Sequence, residues 1–152
     1  PLFLNHLTGH HGVRGVKRVA MHEPLTNLRK VLVIQFDRSV ARTEIWRALY
    51  GAMSFQAPVG KYLIAVNEDI DPDNLDAVFW SMSYRANLAE DCELMRHRPL
   101  GHGPKSGADE DATLLIDATL KADMAPVAPA QARIHGARER ALGAAWPAAA
   151  EA

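Results

Sequence analysis

The middle of this chain carries apolar residues in unbroken runs instead of alternating with polar ones. Leu63, Ile64, Ala65 and Val66 follow one another without a polar break, the pattern expected of a short strand buried on both faces of a sheet. Val16 to His22 and Lys30 to Phe36 are two β-rich runs joined by a polar turn at Glu23 to Asn27, which reads as a pair of neighbouring strands. Ser39 is placed to cap a helix reaching about Met53, with Ile45, Ala48, Leu49, Ala52 and Met53 on one face, and Pro58-Val59-Gly60 separates that helix from the buried strand. After the strand, Asp71 stands where an N-cap belongs and Pro72 at the first helical position. Leu75, Val78, Phe79 and Met82 then recur at i, i+3, i+4 and i+7, so this face is expected to pack on the sheet, with Trp80 at its flank largely buried. Asp91 to His97 reads as a further strand, 98 to 111 as a Gly/Pro loop, and Ala112 to Ala118 as another buried strand. The resulting order, β-β-α-β-α-β-β, predicts a layered α/β fold around a mixed sheet.

Composition narrows the class. In 152 residues, 48% hydrophobic content is enough for one real core. We therefore expect one domain over residues 1–124, followed by an Ala/Pro/Arg-rich tail over 125–152 in which Ala130 to Ala145 is compatible with a helix. A formal net charge of -1 with interspersed signs gives no electrostatic footprint for nucleic acid. No run approaches the roughly 20 apolar residues of a membrane span, and no secretory signal is visible, so a cytoplasmic protein is expected. The lone Cys92 excludes an internal disulfide and reads as a small buried hydrophobe at a strand start. Pro1 opens the chain without an initiating Met, directly on apolar residues, which reads as the interior of a longer polypeptide.

Several clusters invite chemistry and mostly have plainer explanations. Loop 98 to 111 carries Gly101, Gly103 and Gly107 with Pro99 and Pro104; such glycines let a backbone approach a ligand, and they also simply make turns. It is not a phosphate-binding P-loop, because Pro104 separates Gly103 from Lys105-Ser106. Asp69, Asp71, Asp73 and Asn74 start like a calcium loop, but Asn74 stands where Gly is needed and Trp80 where Glu is needed. His6, His10 and His11 resemble a metal cluster, yet Gly9 interrupts the helix that would align His6 with His10, and solvated histidines are the expectation. His97 and His102 show no carboxylate partner in sequence and read as surface-loop residues. Arg85 ends its helix, where a cation suits the dipole, and is expected to pair with Glu90 or Asp91. Asp117 interrupts an apolar strand and must be hydrogen-bonded or paired if buried. Segment 54 to 59, with Phe55, joins a helix end to the buried strand and could face a ligand or pack as core.

Lys61, the acidic Glu68-Asp69-Ile70-Asp71, Trp80, Arg85, Asp91 and Asp117-Ala118-Thr119 resemble, in order and spacing, the C-terminal part of UbiD-type decarboxylases over roughly residues 16 to 124. Asn67 stands where an Asp is usual, Ser81 follows the Trp in place of Ala, and His97 to Pro104 occupies the place of an L-D-P-S segment. The resemblance implies the C-terminal domain of a carboxy-lyase that acts reversibly on an aromatic or α,β-unsaturated carboxylic acid with prenylated FMN. It implies that Phe55 approaches the flavin and that Pro99 and Leu100 form an apolar wall at the substrate. The family's catalytic network, divalent metal and potassium belong to an upstream flavin-binding domain, so no catalytic or metal-binding residue is assigned to this chain. By the same resemblance the segment alone is inactive, supplies part of the active-site wall and the subunit interface, and works in a homo-oligomer. A different class remains open: a non-catalytic accessory or ligand-binding α/β module. An in-frame flavin-binding domain just upstream separates the two.

Overall fold

The computed structural model describes residues 2–22, 30–56, 58–99 and 109–124. Among them, five strands form one sheet: β1 (Val16–His22), β2 (Val31–Phe36), β3 (Tyr62–Asn67), β4 (Cys92–Pro99) and β5 (Glu110–Asp117), in spatial order β1-β2-β3-β5-β4. The three inner strands β2, β3 and β5 run parallel, and β1 and β4 close the edges antiparallel. Three helices accompany them: α1 (Leu2–Asn5), continued by a π-turn over His6–His10, α2 (Arg42–Phe55) and α3 (Leu75–Arg85). The expected strand and helix order is present, with α1 and its π-turn added in front.

The apolar runs are explained by burial on both faces. Leu32, Ile34, Phe36, Leu63, Ala65 and Leu115 point to one side, where Phe3, Leu7, Ile45, Ala48 and Leu49 cover them. Val33, Ile64, Val66 and Ile116 point to the other, beneath Ala77 and Val78 of α3. The middle of each inner strand alternates between two apolar layers, and the polar residues Gln35, Asn67, Asp111, Thr113 and Asp117 fall toward the strand ends.

Local corrections concern helix starts. Ser39 caps nothing: Ala41 occupies the cap of α2 without a side-chain bond. α3 begins three residues later than expected. Asp71 Oδ1 accepts from the Asp73 N–H at 3.1 Å and so closes a turn, while Asn74 takes the cap, its Oδ1 accepting from the Ala77 N–H at 3.3 Å. Asp and Asn both favour such local bonds, and sequence alone does not choose between them.

The inward face of α3 is also different. Ala77, Ser81 and Arg85 form the buried stripe, beside Val78, and Phe79 is 61% exposed. Phe79 lies two residues, about 200° of helical rotation, from Ala77. Small residues let α3 sit close to the sheet, where Ser81 Oγ donates to the Ala118 carbonyl at 2.7 Å. Trp80 is half-buried, stacked on Tyr84 at 5.4 Å instead of sealed in the core. Arg85 pairs with neither Glu90 nor Asp91. Its guanidinium, 2% exposed, grips Asp69 through two bonds of 3.0 and 2.6 Å and lies 5.2 Å from the Trp80 ring.

That bridge belongs to the acidic turn after β3. Lys17 reaches Glu68 and Asp37, and Arg18 reaches Asp71 and Asp73. The acidic run is thus matched to cations from the edge strand and α3, which accounts for its charge. Lys17, held by the Glu68 and Asp37 carboxylates, has its pKa pushed up to about 12.

At the other edge, β4 continues to Pro99 and β5 starts at Glu110, so the strands extend into the expected loop. A register shift between Met95 and Arg98 puts His97 at φ 59°. Its ring then meets a carboxylate absent from the sequence reading, Glu110 Oε2, at 2.6 Å from Nδ1. Glu23 to Asn27, residues 100–108 with Leu100, His102 and Lys105, and the tail from 125 lie outside the described residues. No helix among the described residues is long and apolar enough to cross a membrane.

Candidate functional site

Two ends of the parallel sheet concentrate polar side chains. At the amino end, β3 and β5 begin side by side, tied by Lys61 Nζ to Asp111 Oδ2 at 2.9 Å and by Thr113 Oγ1 to the Gly60 carbonyl at 2.9 Å. The Lys61 ammonium holds the Asp111 carboxyl below the usual carboxylate range. Arg98, at the end of β4, donates from Nε to Thr113 Oγ1 at 3.2 Å and from Nη2 to the Met53 carbonyl at 2.7 Å. One guanidinium therefore fastens the last turn of α2 to the end of β4.

Phe55 closes that last turn. Its ring is half-buried, edge-on to Phe3 at 4.9 Å and tilted against His6 at 4.1 Å. Pro99 pairs with Glu110 and lines a shallow indentation with Lys30, Gly60, Lys61, Arg98 and Asp111. The structure thus brings the Phe55 and Pro99 segments to the same end of the sheet through Arg98. Leu100 follows directly, outside the described residues. Phe55 offers an apolar ring, suited to the ring system of a flavin and not to its phosphate.

At the carboxyl end, where open α/β sheets commonly place ligands, a cleft of about 660 Å³ opens beside β5 and the start of α2. Asp117 and Asp91 are buried in its wall. Asp117 Oδ1 accepts from Thr119 N–H at 3.0 Å and Thr119 Oγ1 at 2.6 Å. Lys121 Nζ donates to the carbonyls of Asp117 and Thr119 and stands 3.3 and 3.4 Å from the Asp117 and Asp91 carboxylates. Arg42 Nη2 donates to Asp91 Oδ1 and to the Glu90 carbonyl, both at 2.9 Å. Asp117 is thus bonded and paired as a buried carboxylate requires, although its Oδ2 lacks a hydrogen bond and has Arg42 Nε at 4.0 Å. Two cations against two carboxylates make this a clasp joining β5, the turn before β4 and α2. Burial beside it, with Asp91 adding to the effect, pushes the Cys92 thiol up, the opposite of the shift that activates a cysteine.

Residues 2–118 match the family model of the 3-octaprenyl-4-hydroxybenzoate carboxy-lyase C-terminal domain. The chain belongs to the UbiD family of carboxy-lyases. Solved UbiD-class structures share the fold. HmfF from Pelotomaculum thermopropionicum, in complex with FMN, superposes with a TM-score of 0.69 at 21% identity, over 90% of this chain and 31% of that one. The 3,4-dihydroxybenzoic acid decarboxylase of Enterobacter cloacae gives 0.66 at 14% identity, over 90% and 31%. The vanillic acid decarboxylase of Sedimentibacter hydroxybenzoicus in its open form gives 0.64 at 17%, over 91% and 31%. This UbiD-type chain therefore spans about a third of the length of those enzymes. No curated protein matches it.

The family motif now has physical roles. Asp69 and Arg85 form the buried bridge, and Asp91 and Asp117-Ala118-Thr119 build the clasp. Lys121 and Arg42 complete the clasp and Arg98 ties the amino end, none of which the sequence reading singled out. Lys121 had a signal, four residues after Asp117. Arg42 and Arg98 had none, because their partners are 49, 45 and 15 residues away.

Proposed function

We propose that this UbiD-type domain forms one wall of the active site of a carboxy-lyase that reversibly decarboxylates an aromatic or α,β-unsaturated carboxylic acid, with prenylated FMN as cofactor. The family match over residues 2–118 carries the reading. It is supported by the flavins in relatives of this fold, FMN in one HmfF structure and prenylated FMN in an evolved dimeric form of that enzyme. The prenylated flavin, when bound, supplies the electron sink for departure of CO2. The part played by this chain is apolar and positional. Phe55 packs against the flavin ring system, Pro99 and Leu100 exclude water beside the substrate, and Arg98 fixes the two segments relative to each other. Catalytic groups, the divalent metal and potassium come from a flavin-binding domain outside these residues, in a homo-oligomeric enzyme, so the segment alone is inactive.

The test compares kcat/KM across acids of increasing bulk in the complete enzyme for Leu100→Ala and Asp109→Ala. Removing the aliphatic wall is expected to shift discrimination by about 1–3 kcal/mol, and the charged loop residue is expected to leave it unchanged. Identical profiles for Leu100→Ala and wild type, or a larger shift from Asp109→Ala, defeat the placement. A complete protein without any flavin-dependent CO2 release supports the accessory-module reading instead.

A further inference from the structure

The π-turn after α1 does what an α-helix would not: it swings His6 against His11 instead of His10. The His11 N–H bonds to the His6 carbonyl at 3.1 Å, five residues back, and the two Nε2 atoms then meet at 2.9 Å with the rings at 80°. The arrangement is held from several sides. Arg47 Nη2 donates to the His11 carbonyl at 2.7 Å, the Val13 N–H bonds to the Leu7 carbonyl at 2.9 Å, and Leu7 and Phe3 anchor the segment in the core. On α2, a Cβ at Gly51 would come within 3.1 Å of Leu7 and 3.4 Å of the His11 ring, so glycine provides the seat for the imidazole. His11 is exposed, which leaves the pair open to solvent from one side.

Two nitrogens each about 2.0–2.1 Å from one ion stand about 2.9 Å apart at a right angle and about 3.3 Å apart at the tetrahedral angle. The observed separation fits the right angle, the geometry of tetragonal Cu2+ and Ni2+ sites with imidazole ligands. Without an ion, the same spacing is an N–H···N hydrogen bond, so a cation replaces one shared proton. We propose that His6 and His11 chelate a divalent ion of the Cu2+ or Ni2+ type through their Nε2 atoms, with water in the remaining positions. Among the described residues no third His, Cys, Asp or Glu completes a cluster, which keeps the site open. Because His6 also lies against Phe55, a bound ion would fix the α1 turn to the end of α2.

The complete protein is titrated with NiCl2 by calorimetry, and a CuCl2-loaded sample is measured by electron paramagnetic resonance. The expected result is one saturable site per chain at this position, with nitrogen hyperfine structure from two imidazoles. His11→Ala, an exposed change that leaves the core intact, is expected to weaken it about tenfold or more, the loss already seen for outer-shell partners. His6→Gln is expected to do the same, and His97→Ala, at the exposed contact with Glu110, to leave it unchanged. No saturable binding, unchanged affinity in His11→Ala, or loss of the site in His97→Ala overturns the assignment.

Discussion

Removing Asp69 should harm this domain more than removing Arg85, although the two side chains share one bridge. Arg85 is 2% exposed, donates twice to Asp69, and already has an Nε without a partner. The Asp69 side chain keeps 27% of its surface exposed. In Asp69→Ala a guanidinium is left buried without an acceptor, which costs about 3 kcal/mol, at the lower end for a broken buried pair because solvent can enter from the aspartate side. In Arg85→Met the volume is kept, Asp69 turns to water, and the loss is about 1–2 kcal/mol, including the contact with Trp80. The double variant should resemble Arg85→Met. The assay is urea denaturation followed by tryptophan fluorescence at neutral pH, repeated toward acid. The Arg85 hydrogen bonds hold the Asp69 carboxyl below its ordinary range. Its contribution is therefore fully present above the unfolded value of about 3.9 and is lost as pH falls through the folded value. Arg85→Met costing as much as Asp69→Ala, or an acid limb unchanged in Asp69→Asn, would refute the reasoning.

Other consequences follow from single sites. Gly60→Ala should cost about 2–3 kcal/mol in the same assay, because φ is 79° and the new Cβ would lie 2.5 Å from the buried Leu63 Cδ1; Gly12→Ala, at φ 58° with nothing within 4 Å, should cost only about 1 kcal/mol. Equal losses would mean that backbone strain alone matters. Trp80→Ala should cost about 2 kcal/mol, below the roughly 3–5 kcal/mol of a fully buried aromatic, since this ring is half-buried; a larger loss would place the indole deeper than it stands here. Tyr50 hydrogen-bonds to Glu93 at 2.6 Å, and that bond together with burial pushes its pKa up to about 12. Its share of stability is present below about pH 10 and disappears as pH rises through the folded value. In Glu93→Gln, ultraviolet titration should show one tyrosine ionising earlier, and an unchanged curve would remove Glu93 as the cause.

The chain itself determined the layered α/β order and the location of the inner strands. A short run such as Leu63 to Val66, β-branched in part and bounded by Pro58-Val59-Gly60, favours a strand with apolar layers on both faces, and that preference is local. Sequence also carried the family, because Lys61, the acidic turn, Arg85 and Asp117-Ala118-Thr119 keep their spacing. What each of those residues touches was decided by the tertiary structure. Asp71 and Asn74 are both competent helix caps, and only the docking of Ala77 and Ser81 against the sheet selects Asn74 and turns Phe79 outward. Arg85 finds Asp69 instead of Asp91 because Arg42 and Lys121 already surround Asp91, and both arrive from distant elements. His6 meets His11 only because a π-turn shifts the helical register by one residue. Side-chain periodicity is written along the chain, whereas a charge's partner depends on which elements the folded sheet brings together.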